Sequence, residues 1–134
     1  MSGEYIKPLP KPTATSRPFW EAARRHELSL QRCGACKAFV YYPRERCPHC
    51  FSDRLGWERV SGRGKVYSYT VVRRASSHSF ADRPYVLAIV ELEEGPRMTS
   101  NIVAAPESVK VGMPVVVEFD DVTPEHTLVK FKPA

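Results

Sequence analysis

All four cysteines of the chain fall within eighteen residues, as Cys33-Gly34-Ala35-Cys36 and Cys47-Pro48-His49-Cys50. Two cysteines separated by two residues in a tight turn present both sulfurs to one ion. Two such turns supply four thiolates for a single tetrahedral metal. The competing readings are disulfides, unrelated buried thiols, or a thioredoxin-like redox motif at Cys47-Pro48-His49-Cys50. The redox reading needs a strand–helix context and leaves Cys33 and Cys36 without a role. A metal site uses all four. His49 could replace one sulfur, but four cysteines already fill a structural site, which leaves no open position for catalysis. Zinc and iron both accept four thiolates; zinc is the reading adopted, with iron as the alternative.

Around this quartet the chain needs elements that hold two knuckles face to face. Leu28–Arg32 alternates as a strand entering the first knuckle, Phe39–Tyr42 returns from it, and Leu55–Val60 follows the second. Strand, knuckle, strand, knuckle, strand is the order of a rubredoxin-like zinc ribbon. So small a module buries little core, so the metal supplies much of its folding free energy. Ahead of it, Ser16 is a candidate N-cap for a helix carrying Pro18 in its first turn and Phe19, Trp20 and Ala23 on neighbouring faces. Residues 1–15, with alternating prolines in Lys7-Pro8-Leu9-Pro10-Lys11-Pro12, read as an extended arm.

Beyond Ser61-Gly62-Arg63-Gly64 the pattern changes to short strands separated by turns, expected at Lys65–Arg73, Tyr85–Glu93, Arg97–Val103, Val115–Asp120 and Thr127–Lys132. The one helical turn, near Pro106–Val109, falls between the third and fourth. That is the order of an OB-fold barrel. The expected fold is therefore mostly β: an arm (1–15), a helix plus zinc ribbon (16–62) and a five-stranded OB-fold barrel (63–134).

With 43% hydrophobic and 26% charged residues, the 134-residue chain has the composition of a soluble globular protein. Its longest apolar run, near Tyr85–Val90, is too short for a transmembrane helix, and no basic start precedes an apolar signal core. Metal-spaced cysteines without a secretion signal point to a reducing compartment, most simply the cytoplasm. The net charge of +5 is concentrated in residues 1–62, with eleven Lys/Arg against six Asp/Glu, whereas residues 63–134 carry nine of each. Arg32, Lys37, Arg44 and Arg46 flank the knuckles, where they offset the −2 of four thiolates and a divalent ion.

No catalytic constellation emerges. Ser76, Ser77, His78, Ser79 and Asp82 have the residue types of a nucleophilic triad, but they crowd into one loop without a nucleophile elbow. Asp120 and Asp121 are neighbours in extended chain and point to opposite sides, so they are read as turn residues. Nucleic-acid binding, the alternative function, calls for basic and aromatic residues on the second and third barrel strands. The second strand instead ends Glu91-Leu92-Glu93-Glu94, which repels a phosphate backbone.

Several stretches carry a family resemblance: Pro18-Phe19-Trp20-Glu21-Ala22, Leu30-Gln31-Arg32-Cys33, Tyr42-Pro43-Arg44 before Cys47, the run Trp57 to Val71, and Val111-Gly112-Met113-Pro114-Val115. From about residue 16 onward the chain resembles the OB-fold acyl-CoA-associated proteins with a rubredoxin-like zinc ribbon, domain of unknown function thirty-five. The resemblance implies a non-catalytic accessory or scaffold subunit. Its implied partner is a thiolase-like enzyme, a thiolase-fold aldolase or a hydratase acting on CoA thioesters, and that partner supplies the catalytic residues. Only the four cysteines carry over as site residues.

A contact with acyl-CoA, if this chain makes one, requires cations for the phosphates and an aromatic face for adenine. On charge alone the candidates are Trp20 with Arg24 on the helix, and Arg73, Arg74 and His78 in the first barrel loop.

Overall fold

The computed structural model describes residues 9–73 and 84–134. Helix α1 (Arg17–Arg24) buries Phe19, Ala22 and Ala23, a stripe at i, i+3 and i+4. Ser16 does not cap it through its side chain. Its hydroxyl instead accepts the Thr13 backbone N–H at 2.9 Å, and Thr13 Oγ1 accepts the Ser16 N–H at 3.1 Å. This reciprocal pair makes the turn that enters the helix: Ser16 occupies the expected N-cap position, but its hydroxyl is used by Thr13 and not by the helix.

Three strands form the ribbon sheet: β1 (Ser29–Cys33), β2 (Phe39–Val40) and β3 (Leu55–Arg59), with β1 in the centre and both neighbours antiparallel to it. The expected Phe39–Tyr42 strand stops at Val40. Tyr41 and Tyr42 turn their rings toward Phe19, at centroid distances of 5.8 and 6.2 Å, and this packing ends the ladder.

The barrel consists of β4 (Arg63–Val72), β5 (Tyr85–Leu92), β6 (Arg97–Ile102), β7 (Pro114–Asp121) and β8 (Thr127–Pro133). It closes in the order β4-β5-β6-β8-β7, with β7 returning to β4 through Arg63 opposite Val116. Only β6 and β8 run parallel, meeting at Ile102 and Phe131, and a 3₁₀ turn (Pro106–Ser108) bridges β6 to β7. This is the five-stranded OB topology that the strand order implies. In β5 the inward residues Val86, Ala88, Val90 and Leu92 are buried and alternate with Tyr85, Leu87, Ile89 and Glu91 outside. Asp120 and Asp121 end β7 as strand residues, which corrects the turn expected there.

One apolar core runs through both parts. Phe19, Leu28, Leu30 and Val60 join Val66, Val86, Val90, Val115 and Phe131 in one cluster, while Cys33, Val40 and Cys47 form a small second one with Leu55. The ribbon therefore rests on the end of the barrel core through the helix. At the junction, a Cβ on Gly64 would lie 2.5 Å from the Glu91 carbonyl oxygen, so β4 approaches β5 there only as glycine.

Candidate metal centre

The two knuckles are built alike. In the first, Cys33 N–H donates to the Ala38 carbonyl and Lys37 N–H to the Cys33 carbonyl; in the second, Cys47 N–H donates to Ser52 and Phe51 N–H to Cys47. Lys37 (φ 69°) and Phe51 (φ 66°) take left-handed backbone at equivalent places, one residue past the second cysteine of each turn. Each turn aims two sulfurs inward. Cys33 and Cys47 are buried, Cys36 and Cys50 lie at the surface, and all four Sγ atoms fall within 4.8 Å of one another.

A tetrahedral ion with metal–sulfur bonds of about 2.3 Å sets its sulfurs roughly 3.8 Å apart. Here Cys36 Sγ and Cys47 Sγ are separated by 3.7 Å, and Cys33 Sγ and Cys50 Sγ by 3.5 Å. The donor set and its spacing fit one four-coordinate soft ion. Backbone N–H groups prepare it: Ala35 and Cys36 point at Cys33 Sγ, both at 3.4 Å, and His49 points at Cys47 Sγ at 3.3 Å. The Cys36 N–H and, against burial, the Ala35 N–H hold the Cys33 thiol down at about 6. Against the Ser52 backbone hydrogen bond, which lowers it, sharing a hydrogen bond with Cys33 and desolvation together push the Cys50 thiol up to about 11. A divalent cation removes that conflict by replacing the shared protons. His49 contributes its backbone N–H, consistent with a site already filled by sulfur.

The arginines act on knuckle carbonyls. Arg46 donates to Phe51 O at 3.1 Å and Arg32 Nε to Lys37 O at 2.9 Å, while Arg44 takes part through its backbone. Two residues that the spacing argument overlooked complete the support. Buried Gln31 binds the Arg44 backbone twice, accepting its N–H and donating to its carbonyl, both at 2.8 Å. Arg54 donates to Gly34 O at 2.9 Å. Gln31 stands between Leu30 and Arg32 in sequence and meets its apolar neighbours, Val40 and Trp57, only across the sheet, so neither it nor Arg54 was marked by the sequence.

The candidate ligand residues are scattered. Trp20 packs edge-on against Phe19 at 4.9 Å and donates its indole N–H to Tyr42 Oη at 3.2 Å, so that edge is engaged. Arg24 is exposed at the end of α1, and Arg73 is exposed just past β4. Arg74 and His78, like Ser76, Ser77, Ser79 and Asp82, lie outside the described residues. On the outer face of the barrel the acidic edge of β5 is matched by local cations: Glu91 with Lys65 (3.7 Å) and Arg97 (3.4 Å), and Glu93 with Arg63 (3.3 Å). Arg97 also stacks over the Tyr67 ring, 3.8 Å from its centroid.

Fold and site together define a class: a four-cysteine ribbon seated on an OB barrel. Comparison with known proteins narrows it. Residues 20–56 match the family model "ChsH2, rubredoxin-like zinc ribbon domain" and residues 57–120 match "ChsH2, C-terminal OB-fold domain". Strand β3 straddles the two matched segments. A DUF35 domain-containing scaffold protein of Methanocaldococcus jannaschii is 42% identical over 85% of this chain and 82% of its own length. The chain belongs to the DUF35 domain-containing scaffold protein family. It is also 41% identical, over 96% of its residues, to a probable enoyl-CoA hydratase alpha subunit of Thermomonospora curvata, of whose length it spans only 40%. Among solved structures, a chain of the Ltp2-ChsH2(DUF35) aldolase superposes with a TM-score of 0.83 at 40% identity, covering 92% of this chain and 98% of that one.

Proposed function

We propose that this chain is a non-catalytic accessory subunit that assembles with an enzyme of CoA-thioester metabolism, of the thiolase superfamily (thiolase, acyltransferase or aldolase) or a hydratase. The observation that carries the reading is the likeness, across ribbon and barrel alike, to a chain of an aldolase named for two components. The hydratase alpha-subunit relative supports the same class of partner. The four cysteines hold a structural Zn²⁺, a choice favoured over iron by the zinc-ribbon match. With no coordination position left open, the ion ties β1, β2 and the second knuckle together and leaves chemistry to the partner.

On this reading acyl-CoA meets the assembly at the partner's active site. Trp20, Arg24, Arg73, Arg74 and His78 are this chain's candidate contacts. The setting is a reducing compartment such as the cytoplasm, where the thiolates keep their metal; none of the described helices is long and apolar enough to cross a membrane. The test is affinity purification of the tagged chain from its native host. Recovery of a stoichiometric CoA-thioester enzyme supports the proposal, and recovery with nucleic acid and no such enzyme overturns it.

A further inference from the structure

The ribbon sheet ends on an open edge. In the order β2-β1-β3, strand β3 has β1 on one side and, among the described residues, no strand on the other. Gly34 N–H donates to Arg54 O at 2.7 Å and Val60 N–H to Leu28 O at 2.9 Å, so the even-numbered residues of β3 are the ones bonded to β1. The backbone N–H and C=O of Trp57 and Arg59, and the C=O of Leu55, therefore point away from the sheet, while Leu55 N–H turns back to Asp53 O at 3.0 Å. Neither proline nor bulge blunts this edge, and such a row of free donors and acceptors recruits a further strand. Gly56 lies at its middle, exposed and without positive φ, where a Cβ would meet nothing within 4 Å. Nothing inside the chain calls for glycine there, whereas close approach of another backbone does.

We infer that the occupant of this edge is β3 of a second copy of the chain, paired antiparallel about a two-fold axis through Gly56. Outward-pointing backbone must meet outward-pointing backbone, so odd-numbered residues face only odd-numbered ones. One of the registers this allows sets Gly56 opposite Gly56, Leu55 opposite Trp57, Arg54 opposite Glu58 and Asp53 opposite Arg59. The others lose the match. Centring the axis on Trp57 sets Leu55 opposite Arg59, centring it on Glu58 sets that carboxylate against itself, and centring it on Leu55 sets Asp53 opposite Trp57. In the matched register the Trp57 N–H of each copy donates to Leu55 O of the other. The charged residues are exposed and loosely held within one chain: Glu58 lies 3.5 Å from Arg32 and Arg59 lies 4.0 Å from Glu27, while Arg54 spends one of its five donors on Gly34 O. The backbone alternation and the side-chain order thus select the same partner.

One short edge paired with another is a small contact beside the roughly 1,200 Å² of a stable complex, so a weak, concentration-dependent dimer is expected. Sedimentation of the zinc-loaded full chain from micromolar to millimolar concentration should show monomer passing into dimer. Over the same range hydrogen exchange should slow at the Trp57 amide as the dimer forms, whereas the Gly56 and Glu58 amides, bonded to β1, stay slow throughout. Asp53→Lys and Arg59→Asp each set like charges opposite one another at both symmetry-related pairs and should weaken self-association on the order of tenfold. Mixing the two variants in equal amounts brings opposite charges together again and should restore association, which also shows that both fold. A chain that stays monomeric, a dimer indifferent to both variants, no recovery on mixing, or a Trp57 amide protected only when a co-purified enzyme is bound overturns the proposal. Self-association of the chain and recovery of an enzyme with it are separate observations, so this inference and the accessory-subunit reading fail independently.

Discussion

His26 Nε2 lies 2.9 Å from Asp121 Oδ2, tying the residue just past helix α1 to the end of barrel strand β7. The imidazole also stacks on Phe119, with ring centroids 5.3 Å apart and planes 11° from parallel. Thr127 Oγ1 donates to the other carboxylate oxygen at 2.5 Å. The Thr127 hydroxyl first, and His26 second, hold the Asp121 carboxyl below its ordinary value. A depressed folded value means that the contribution to stability is fully present above the unfolded value of about 3.9 and is lost as pH falls through the folded value. Wild type should therefore exceed Asp121→Asn in Tm at pH 5, and the gap should narrow at pH 3. A gap that is unchanged or wider at pH 3 contradicts this.

Loss of the metal should unfold the ribbon. Structural zinc contributes an apparent 10–16 kcal/mol in zinc-finger peptides, roughly the whole stability of a domain. Cys47→Ser should reduce bound metal well below about one ion per chain, the ratio that four ligands require. It should also erase the slow amide exchange of β1 and β3. Full metal content in that variant, measured by elemental analysis, would show that the quartet is not the site.

Glycine at position 64 is demanded by the barrel seam. Gly64→Ala places a methyl against the Glu91 carbonyl and should cost about 1–3 kcal/mol, as overpacking does. Gly56→Ala, where a Cβ meets nothing within 4 Å, should change stability little. Denaturant unfolding of both variants checks the contrast, and equal effects would contradict the close approach.

Phe19 is 2% exposed and connects the helix to the tyrosines of the ribbon and to the shared core. Phe19→Ala should cost about 3–5 kcal/mol. Because the core is continuous, ribbon and barrel should lose stability together, visible as matched falls in amide protection in β1 and in β5. A fall confined to β1 would mean that the two parts are energetically separate.

The readable part of this protein was local. Cysteine spacing announced the knuckles, and the alternation in Tyr85–Leu92 marked a barrel strand because one face of it had to be buried. The strand order then led to the closed barrel. What stayed hidden depends on residues distant in sequence. Nothing near Ser16 distinguishes a cap from a hydroxyl engaged by Thr13, and Tyr41 and Tyr42 read as strand because their rings' attraction to Phe19 leaves no periodic trace. The β-bulge between Val66 and Ser68, which sets Tyr67 under Arg97, interrupts an alternation that would otherwise run on. Glu94 registered only as part of an acidic edge; its bond to the Ser61 N–H joins residues far apart in sequence.

The most direct test of the accessory role is turnover of an acyl-CoA thioester by the co-purified enzyme, measured with this chain present, with it removed, and with this chain alone. Activity of the enzyme that falls when the chain is removed and returns when it is restored, with no turnover by the chain alone, is the predicted result. Turnover by the purified chain alone would contradict the account.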